Sequence, residues 1–228
     1  MQSMYTSDLS EARVSSNFMA KVYNWMFAAL LISWWTAYYV SANPELMRLV
    51  VSMFTPLIIL ELVFVVVLGF LINIINSFFA ILLFLLYSLL NGLTLSIISL
   101  VYHAWAIELA FGITAWTFLF MSAYGYFTKA NLWTFWLVLT MWLFGLILAS
   151  VVNFFLKSPL TDYILSWGWV VIFTWLTAYD TQKIKEMWEA WFENWESEMK
   201  MSIIWALNLY LDFINLFLYI LKLFGSRK

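Results

Sequence analysis

The feature that most constrains this chain is a succession of long apolar runs separated by short polar segments. A membrane-spanning helix needs about 20 predominantly apolar residues, whereas a strand of a membrane barrel needs about ten alternating ones. Seven runs have the helical length, and they cover residues 22–40, 49–72, 78–101, 104–121, 132–156, 163–179 and 201–224. The sequence therefore predicts an all-α integral membrane protein with seven transmembrane helices.

Composition supports this prediction and excludes several classes of function. Of the 228 residues, 65% are hydrophobic and 11% charged, where a soluble domain carries about 25% charged residues. The formal net charge of −2 offers no basic surface, so the lipid bilayer is the expected partner and nucleic acid is not. The chain has no cysteine, which excludes disulfides and cysteine-held metal or iron–sulfur centres. We expect no cofactor.

The ends of the chain and its basic residues predict a domain plan and an orientation. Residues 1–21 form a polar tail without signal-peptide features, and residues 22–225 form a single seven-helix membrane domain. If the N-terminus is cytoplasmic, six Lys and Arg lie in segments on the cytoplasmic side and five lie on the opposite side. Three of those five lie at the end of the last run or after it. We expect a cytoplasmic N-terminus in a bacterial plasma (inner) membrane.

A segment at about 186–200 predicts an amphipathic helix lying at the membrane interface. Its aromatic residues and methionine recur at helical spacing, with acidic residues between them. The stripe contains Trp188, Trp191, Phe192, Trp195 and Met199. Two interpretations stay open: a cap on the bundle with aromatic rings at headgroup level, or a surface that binds another membrane protein.

The last apolar run carries a polar stripe at its centre. Asn208, Asp212, Asn215 and Tyr219 follow one another at helical spacing. Ionisable side chains are costly inside a bilayer and tend to mark ion or proton paths. The stripe cannot face lipid, so we expect the C-terminal helix to be the central one, with six helices around it.

A second acid, Asp180, lies at the inner end of the sixth run. Two carboxylates on consecutive helices could share one proton, and after deprotonation they would offer the oxygen ligands that Ca²⁺ prefers. Helix rise alone leaves Asp180 and Asp212 about 15 Å apart along the bundle. Spacing therefore leaves open whether the two carboxylates meet.

Other polar and small residues within the runs indicate support and helix packing. Glu61 is a third buried acid, and Asn91, with Gly92, allows close helix approach. In the fifth run, Gly145, Ala149 and Asn153 predict a small-residue packing face.

Several of these residues lie in segments that resemble the Bax inhibitor-1 (YccA-like, transmembrane Bax inhibitor motif) family. Residues 176–185, LTAYDTQKIK, and residues 206–217, ALNLYLDFINLF, are together closely similar to the family signature. Three shorter blocks also match, at residues 60–62 (LEL), 90–96 (LNGLTLS) and 122–129 (SAYGYFTK).

The resemblance implies six helices around a central C-terminal helix and a pH-sensitive leak of Ca²⁺ through the membrane. The family's paired aspartates fall on Asp180 and Asp212, which would sense pH, line the ion path and hold Ca²⁺ transiently. Glu61, Asn91, Asn208 and Asn215 would be supporting polar positions. Family members can also carry a basic residue near the inner end of the second helix, and residues 70–76 here contain none.

Two other functions are compatible with parts of the sequence. The protein could regulate another membrane protein, such as a membrane protease or a cell-death factor, without transporting ions itself. An intramembrane aspartyl protease would also need two acids, and Tyr179 with Asp180 fits the first half of its pattern. The Gly-x-Gly-Asp of the second half is replaced by residues 209–212, LYLD, so we expect no enzymatic activity.

Overall fold

The computed structural model describes residues 2–72, 74–187 and 195–228, with side chains from Phe18 onward. These residues form helices and no β-strand, which confirms the predicted fold class. The helices are α1 (Gln2–Ser41), α2 (Pro44–Ser52), α3 (Phe54–Leu71), α4 (Ser77–Ser96), α5 (Ile98–Val101), α6 (Ala104–Phe127), a 3₁₀ turn (Leu132–Phe135), α7 (Trp136–Leu156), α8 (Pro159–Met187) and α9 (Trp195–Phe224).

Five segments of the described chain are long and apolar enough to cross a membrane. They are α3, α4 together with α5, α6, the 3₁₀ turn together with α7, and α9. The other two predicted spans lie on α1 and α8, which have 40 and 29 residues. Both are long enough to span, but α1 is rich in Trp and Tyr and α8 has acids at both ends of its apolar run.

Two helix boundaries differ from those expected. The first helix begins at Gln2, so the polar tail is helical and continuous with the first span. The second apolar run is divided between α2 and α3 at Met53. Asn43 starts α2 ahead of that run, because its side chain accepts hydrogen bonds from the backbone N–H groups of Glu45 and Leu46, and Pro44 follows.

Contacts divide the chain into two compact units. The first contains Met1–Val101 and Ile184–Tyr210. Within it α4 packs against α1 and α3. A side chain at Gly92 would approach the backbone oxygen of Ser33 to 2.7 Å, so the glycine permits a close helix contact, as the sequence predicted, and the partner is α1.

The second unit contains Tyr102–Lys183 and Leu211–Lys228. A Cβ atom at Gly125 in α6 would collide with the backbone oxygen of Ala178 in α8. The side chain of Gln182 accepts a hydrogen bond from the backbone N–H of Leu132 at 2.9 Å and donates one to the backbone oxygen of Ala130 at 2.8 Å. These contacts fix the part of α8 that carries Asp180.

The predicted packing face of α7 is wrong at Gly145. No atom lies within 4 Å of a Cβ built there, whereas Leu146 contacts Gly168 of α8. Ser150 accepts a hydrogen bond from the indole N–H of Trp169 at 3.1 Å, and Asn153 is buried. The packed face of α7 therefore keeps the predicted Asn153 but runs through Leu146 and Ser150, while Gly145 is exposed.

Helix α9 is the most buried of the five candidate spans. Within its most apolar window 61% of residues are buried, whereas the corresponding fraction for α7 is 0%. This burial agrees with the inner position predicted for the last helix from its polar stripe.

Candidate functional site

Asp180 on α8 and Asp212 on α9 are both buried within the second unit. Their exposed fractions are 9% and 6%. The two carboxylates interact electrostatically. The Oδ2 atom of Asp212 is inaccessible to solvent and has no hydrogen-bond partner among the described residues. The two acids, which helix rise placed about 15 Å apart along the bundle, are thus close enough to influence each other electrostatically.

The neighbours of Asp180 hold this part of α8 rigidly. Tyr179 stacks on Trp136 with ring centroids 4.7 Å apart, and the Lys183 ammonium lies 5.1 Å from the ring of Trp133. The hydroxyl of Thr181 donates to the backbone oxygen of Thr177 at 2.8 Å. The residues on either side of Asp180 thus make aromatic contacts and a hydrogen bond within α8.

The residues that follow Asp212 on α9 pack against aromatic rings or bond the helix backbone. Its neighbour Phe213 packs edge-on against Phe111 and Phe118, in both cases with ring centroids 5.5 Å apart. Asn215 uses its side-chain amide to bond the backbone oxygen of Leu211 at 2.8 Å. A buried carboxylate oxygen without a hydrogen-bond partner is costly in free energy. Buried acids of this kind mark functional positions in many membrane proteins.

The predicted polar stripe of α9 is only partly enclosed. Asn208 and Asn215 are half-buried, in contrast to Asp212. Tyr219 stacks on Trp169 at 5.7 Å and lines a cavity of the second unit. Asp212 is thus the most enclosed member of its stripe.

Glu61 lies in the first unit and is half-buried rather than buried. Its Oε1 atom accepts a hydrogen bond from the Thr94 hydroxyl at 2.7 Å, and the Asn91 side chain also interacts with it. Asn91 in turn accepts a hydrogen bond from the hydroxyl of Tyr210 at 3.0 Å, and the same hydroxyl bonds Ser33 at 2.7 Å. Glu61 therefore borders a bonded network of four helices.

Sequence reasoning missed Tyr210 and Ser33 as members of this network. Tyr210 lies within the quoted segment 206–217 but outside the helical spacing of the polar stripe. Ser33 is one hydroxyl in the apolar part of α1 and is buried. The sequence contained one indication of both residues, because each places a hydroxyl group within a membrane span, where it needs a hydrogen-bond partner.

About half of the predicted amphipathic segment, residues 188–194, lies outside the described residues. This applies to Trp188, Trp191 and Phe192. Of the rest, Trp195 is 62% exposed. Near it, the Lys21 ammonium pairs with Glu198 at 2.8 Å.

Two carboxylates are a small ligand set for a metal ion. Among the described residues, no three acidic or histidine side chains gather into a group that could hold one. Ca²⁺ takes six to eight oxygen ligands, so two carboxylates alone would leave most of its ligand positions to water or other groups.

Comparison with known proteins assigns the chain to a family. The model of the family described as Inhibitor of apoptosis-promoting Bax1 matches residues 15–228. Inner membrane protein YbhL of Escherichia coli (strain K12) is 44% identical over 215 residues, which are 92% of each chain. An uncharacterized protein of Borreliella burgdorferi is 42% identical over 226 residues, which are 98% of this chain and 97% of its own.

A third relative, uncharacterized protein RP147 of Rickettsia prowazekii, is 39% identical over 218 residues, with 92% of this chain and 90% of that protein covered. The matched range is longer than the residues 60–225 over which the motifs were recognised, and it includes most of α1. Together with the apolar helices, these matches confirm the resemblance: the chain is a multi-pass membrane protein and belongs to the Bax inhibitor-1 family.

Proposed function

We propose that the protein is a pH-sensitive calcium leak channel, gated by protonation of the buried pair Asp180 and Asp212. The observation that carries the proposal is the enclosure of two interacting carboxylates, one with an unpartnered oxygen, in a membrane protein. A proton held between the two oxygens would keep the helices α8 and α9 together. Loss of that proton would leave two negative charges that repel each other and attract a cation.

Ca²⁺ is the transported ion in this proposal, and protons compete with it for the same oxygens. The pair would hold Ca²⁺ only transiently, since the ion would keep most of its water ligands. Glu61, Asn91, Asn208 and Asn215 are proposed as supporting polar positions rather than as ligands. The description of the Escherichia coli relative names an inner-membrane location.

The membrane and the orientation belong to the same proposal. The similarity to an inner membrane protein of Escherichia coli supports a bacterial inner membrane for this chain. The distribution of Lys and Arg favours a cytoplasmic N-terminus. A membrane-protein partner that binds near the exposed Trp195 stays a prediction.

Reconstitution in liposomes tests the proposal. Ca²⁺ entry is followed with an enclosed indicator at about pH 6 and about pH 8, a range in which the shared proton should exchange. The unchanged protein should pass Ca²⁺ at rates that differ severalfold between the two pH values. The double variant Asp180→Asn with Asp212→Asn should lose this difference, because amides neither ionise nor share a proton.

The matched control is Glu108→Gln, which removes an acid from an exposed position of α6. It should keep both the rate and its pH dependence. Absence of any flux in the unchanged protein, or an unaltered pH dependence in the double aspartate variant, would reject the proposal.

A further inference from the structure

A second candidate site lies in the second unit and is separate in chemistry from the aspartate pair. It is a cavity of about 670 Å³ that opens where α7 ends and α8 begins, beside the C-terminal part of α9. That volume is within the range of about 300–1,000 Å³ found for small-molecule sites. The polar part of its lining includes Lys157, Asp162, Lys222 and Arg227.

Positive charge exceeds negative charge in this lining. The one carboxylate, Asp162, is 2.6 Å from the Lys222 ammonium and neutralises it. Lys157 and Arg227 form no ion pair with a carboxylate among the described residues. Two cationic side chains therefore remain to attract an anion into the cavity.

The backbone holds both cationic residues in defined places. Lys157 ends α7 in the left-handed conformation, with φ 51°. The tail at Arg227 forms an antiparallel bridge with Tyr102, and the His103 N–H bonds the backbone oxygen of Ser226 at 3.2 Å. The Arg227 guanidinium also lies 6.0 Å from the Tyr102 ring. The backbone is thus bonded at both positions, while the side chains of Lys157 and Arg227 are exposed.

The rest of the lining changes from polar to aromatic. Ser158 lies at the start of α8, where its backbone N–H donates to Asn153 Oδ1 at 3.2 Å. Trp169 and Tyr219 form a stacked aromatic wall, with an interplanar angle of 12°. A lining that is cationic in one part and aromatic in another fits an anionic group attached to an apolar body, and Arg and Lys both bind phosphate well.

We propose that this cavity binds an anionic phosphate group, with Lys157 and Arg227 as its cationic ligands. The phosphate could belong to the headgroup of a negatively charged phospholipid or be free in solution. The proposal does not rest on calcium transport, and it assigns a binding role to the C-terminal tail.

Titration calorimetry of the purified protein in a neutral detergent tests the proposal. The probes are dioctanoyl phosphatidylglycerol, dioctanoyl phosphatidylcholine and inorganic phosphate. We expect the anionic lipid or inorganic phosphate to bind, and the zwitterionic lipid to bind about tenfold more weakly or worse than the anionic lipid. Added salt should weaken the binding of the anionic probe.

The key variant combines Lys157→Asn with Arg227→Gln, since asparagine tolerates the left-handed backbone at position 157. It should weaken binding of the anionic probe by about tenfold or more. The matched control is Lys129→Gln, which removes an exposed cation of the same unit that does not line the cavity. The control should stay within about twofold of the unchanged protein. Circular dichroism and thermal unfolding establish that both variants fold.

The probes also distinguish the two sources of phosphate. Binding of phosphatidylglycerol without binding of inorganic phosphate assigns the site to a lipid headgroup, and comparable binding of both assigns it to a free phosphate. Binding of inorganic phosphate without binding of phosphatidylglycerol also assigns the site to a free phosphate. The proposal is overturned if neither anion binds, if phosphatidylglycerol binds no more tightly than phosphatidylcholine while inorganic phosphate does not bind, or if the double variant binds as tightly as the unchanged protein.

Discussion

Each of the two units contains an acidic side chain among its helices, but the burial and hydrogen bonding of that side chain differ between the units. In the first unit the Glu61 carboxylate receives a hydrogen bond from Thr94 and borders the bonded network of Ser33, Asn91 and Tyr210. In the second unit Asp212 is more deeply buried and keeps an oxygen without a partner. Most buried polar atoms are bonded, so the network of the first unit has the pattern of structural support. The Asp212 oxygen of the second unit lacks such support among the described residues, as the proposed ion site requires.

The largest expected effect is on Ca²⁺ flux, which should distinguish Asp212 from Glu61. Asp212→Asn should reduce Ca²⁺ flux in liposomes by about tenfold or more, because it removes one of two charges that attract the cation. Glu61→Gln should keep the flux within about twofold, because an amide can still accept a hydrogen bond from Thr94. Equal losses in the two variants would show that both acids belong to the ion path.

Close helix packing gives the next largest effect, measured as the free energy of unfolding in mild detergent. Gly125→Ala should destabilise by about 1–3 kcal/mol, since its Cβ would meet the backbone oxygen of Ala178, which cannot move away alone. Gly145→Ala is the matched control on α7, with no atom within 4 Å of the new Cβ. It should be neutral or stabilising by about 0.5–1 kcal/mol, because alanine favours the helix. Similar destabilisation by both would contradict the packing described for α6 and α8.

The bonded network of the first unit predicts a moderate effect. Tyr210→Phe removes the hydroxyl shared by Ser33 and Asn91, and we expect a loss of about 1 kcal/mol in the free energy of unfolding. Phe84 and Tyr87 pack edge-on against the ring of Tyr210, and phenylalanine keeps that packing. Tyr219→Phe is the control in the second unit, and it should change stability less. A loss of Ca²⁺ flux in Tyr210→Phe would extend the functional site into the network.

The smallest effects should come from the two ion pairs, one in each unit. Lys21 pairs with Glu198 at 2.8 Å, and Lys222 pairs with Asp162 at 2.6 Å. All four side chains are partly exposed, so each pair should contribute about 0.2–1 kcal/mol. Double-mutant cycles with the corresponding amides measure the coupling, which should fall with added salt. A coupling well above that range would show that one pair is enclosed in the lipid-embedded protein.

Hydrophobic patterning was sufficient to predict the fold class, because long apolar runs permit few structures in a membrane. Hydrophobic patterning could not predict the helix break at Met53, because the apolar run continues across both α2 and α3. The start of α2 depends instead on the side chain of Asn43. The same patterning also placed the packing face of α7 on Gly145, because a glycine within a span is compatible with close packing and with open exposure alike. Which of the two occurs depends on the neighbouring helix.

The residues of the candidate site could be named from the sequence, but their proximity could not be derived. Asp212 was identified by its position in the middle of an apolar run, and Asp180 by its position near the end of another. Helix rise measures distance along one axis and contains no information on tilt or crossing, so it left the two acids apart. Tyr210 was missed because hydrogen bonds between helices do not follow the spacing within one helix.

The contrast between α7 and α8 has a consequence for how the chain enters the bilayer. With 0% of its most apolar window buried and a mean hydropathy of 2.3, the span that contains α7 needs only lipid around it, so it should partition into the membrane unaided. Helix α8 carries Asp162 near its start and Asp180 beyond its apolar centre, and it is not among the five spans apolar enough by composition. The insertion of α8 should therefore depend on helices already in place, such as α6, whose Gly125 packs against the backbone of Ala178. During biogenesis, the helix that carries Asp180 would therefore become stable in the membrane only after α6 is in place.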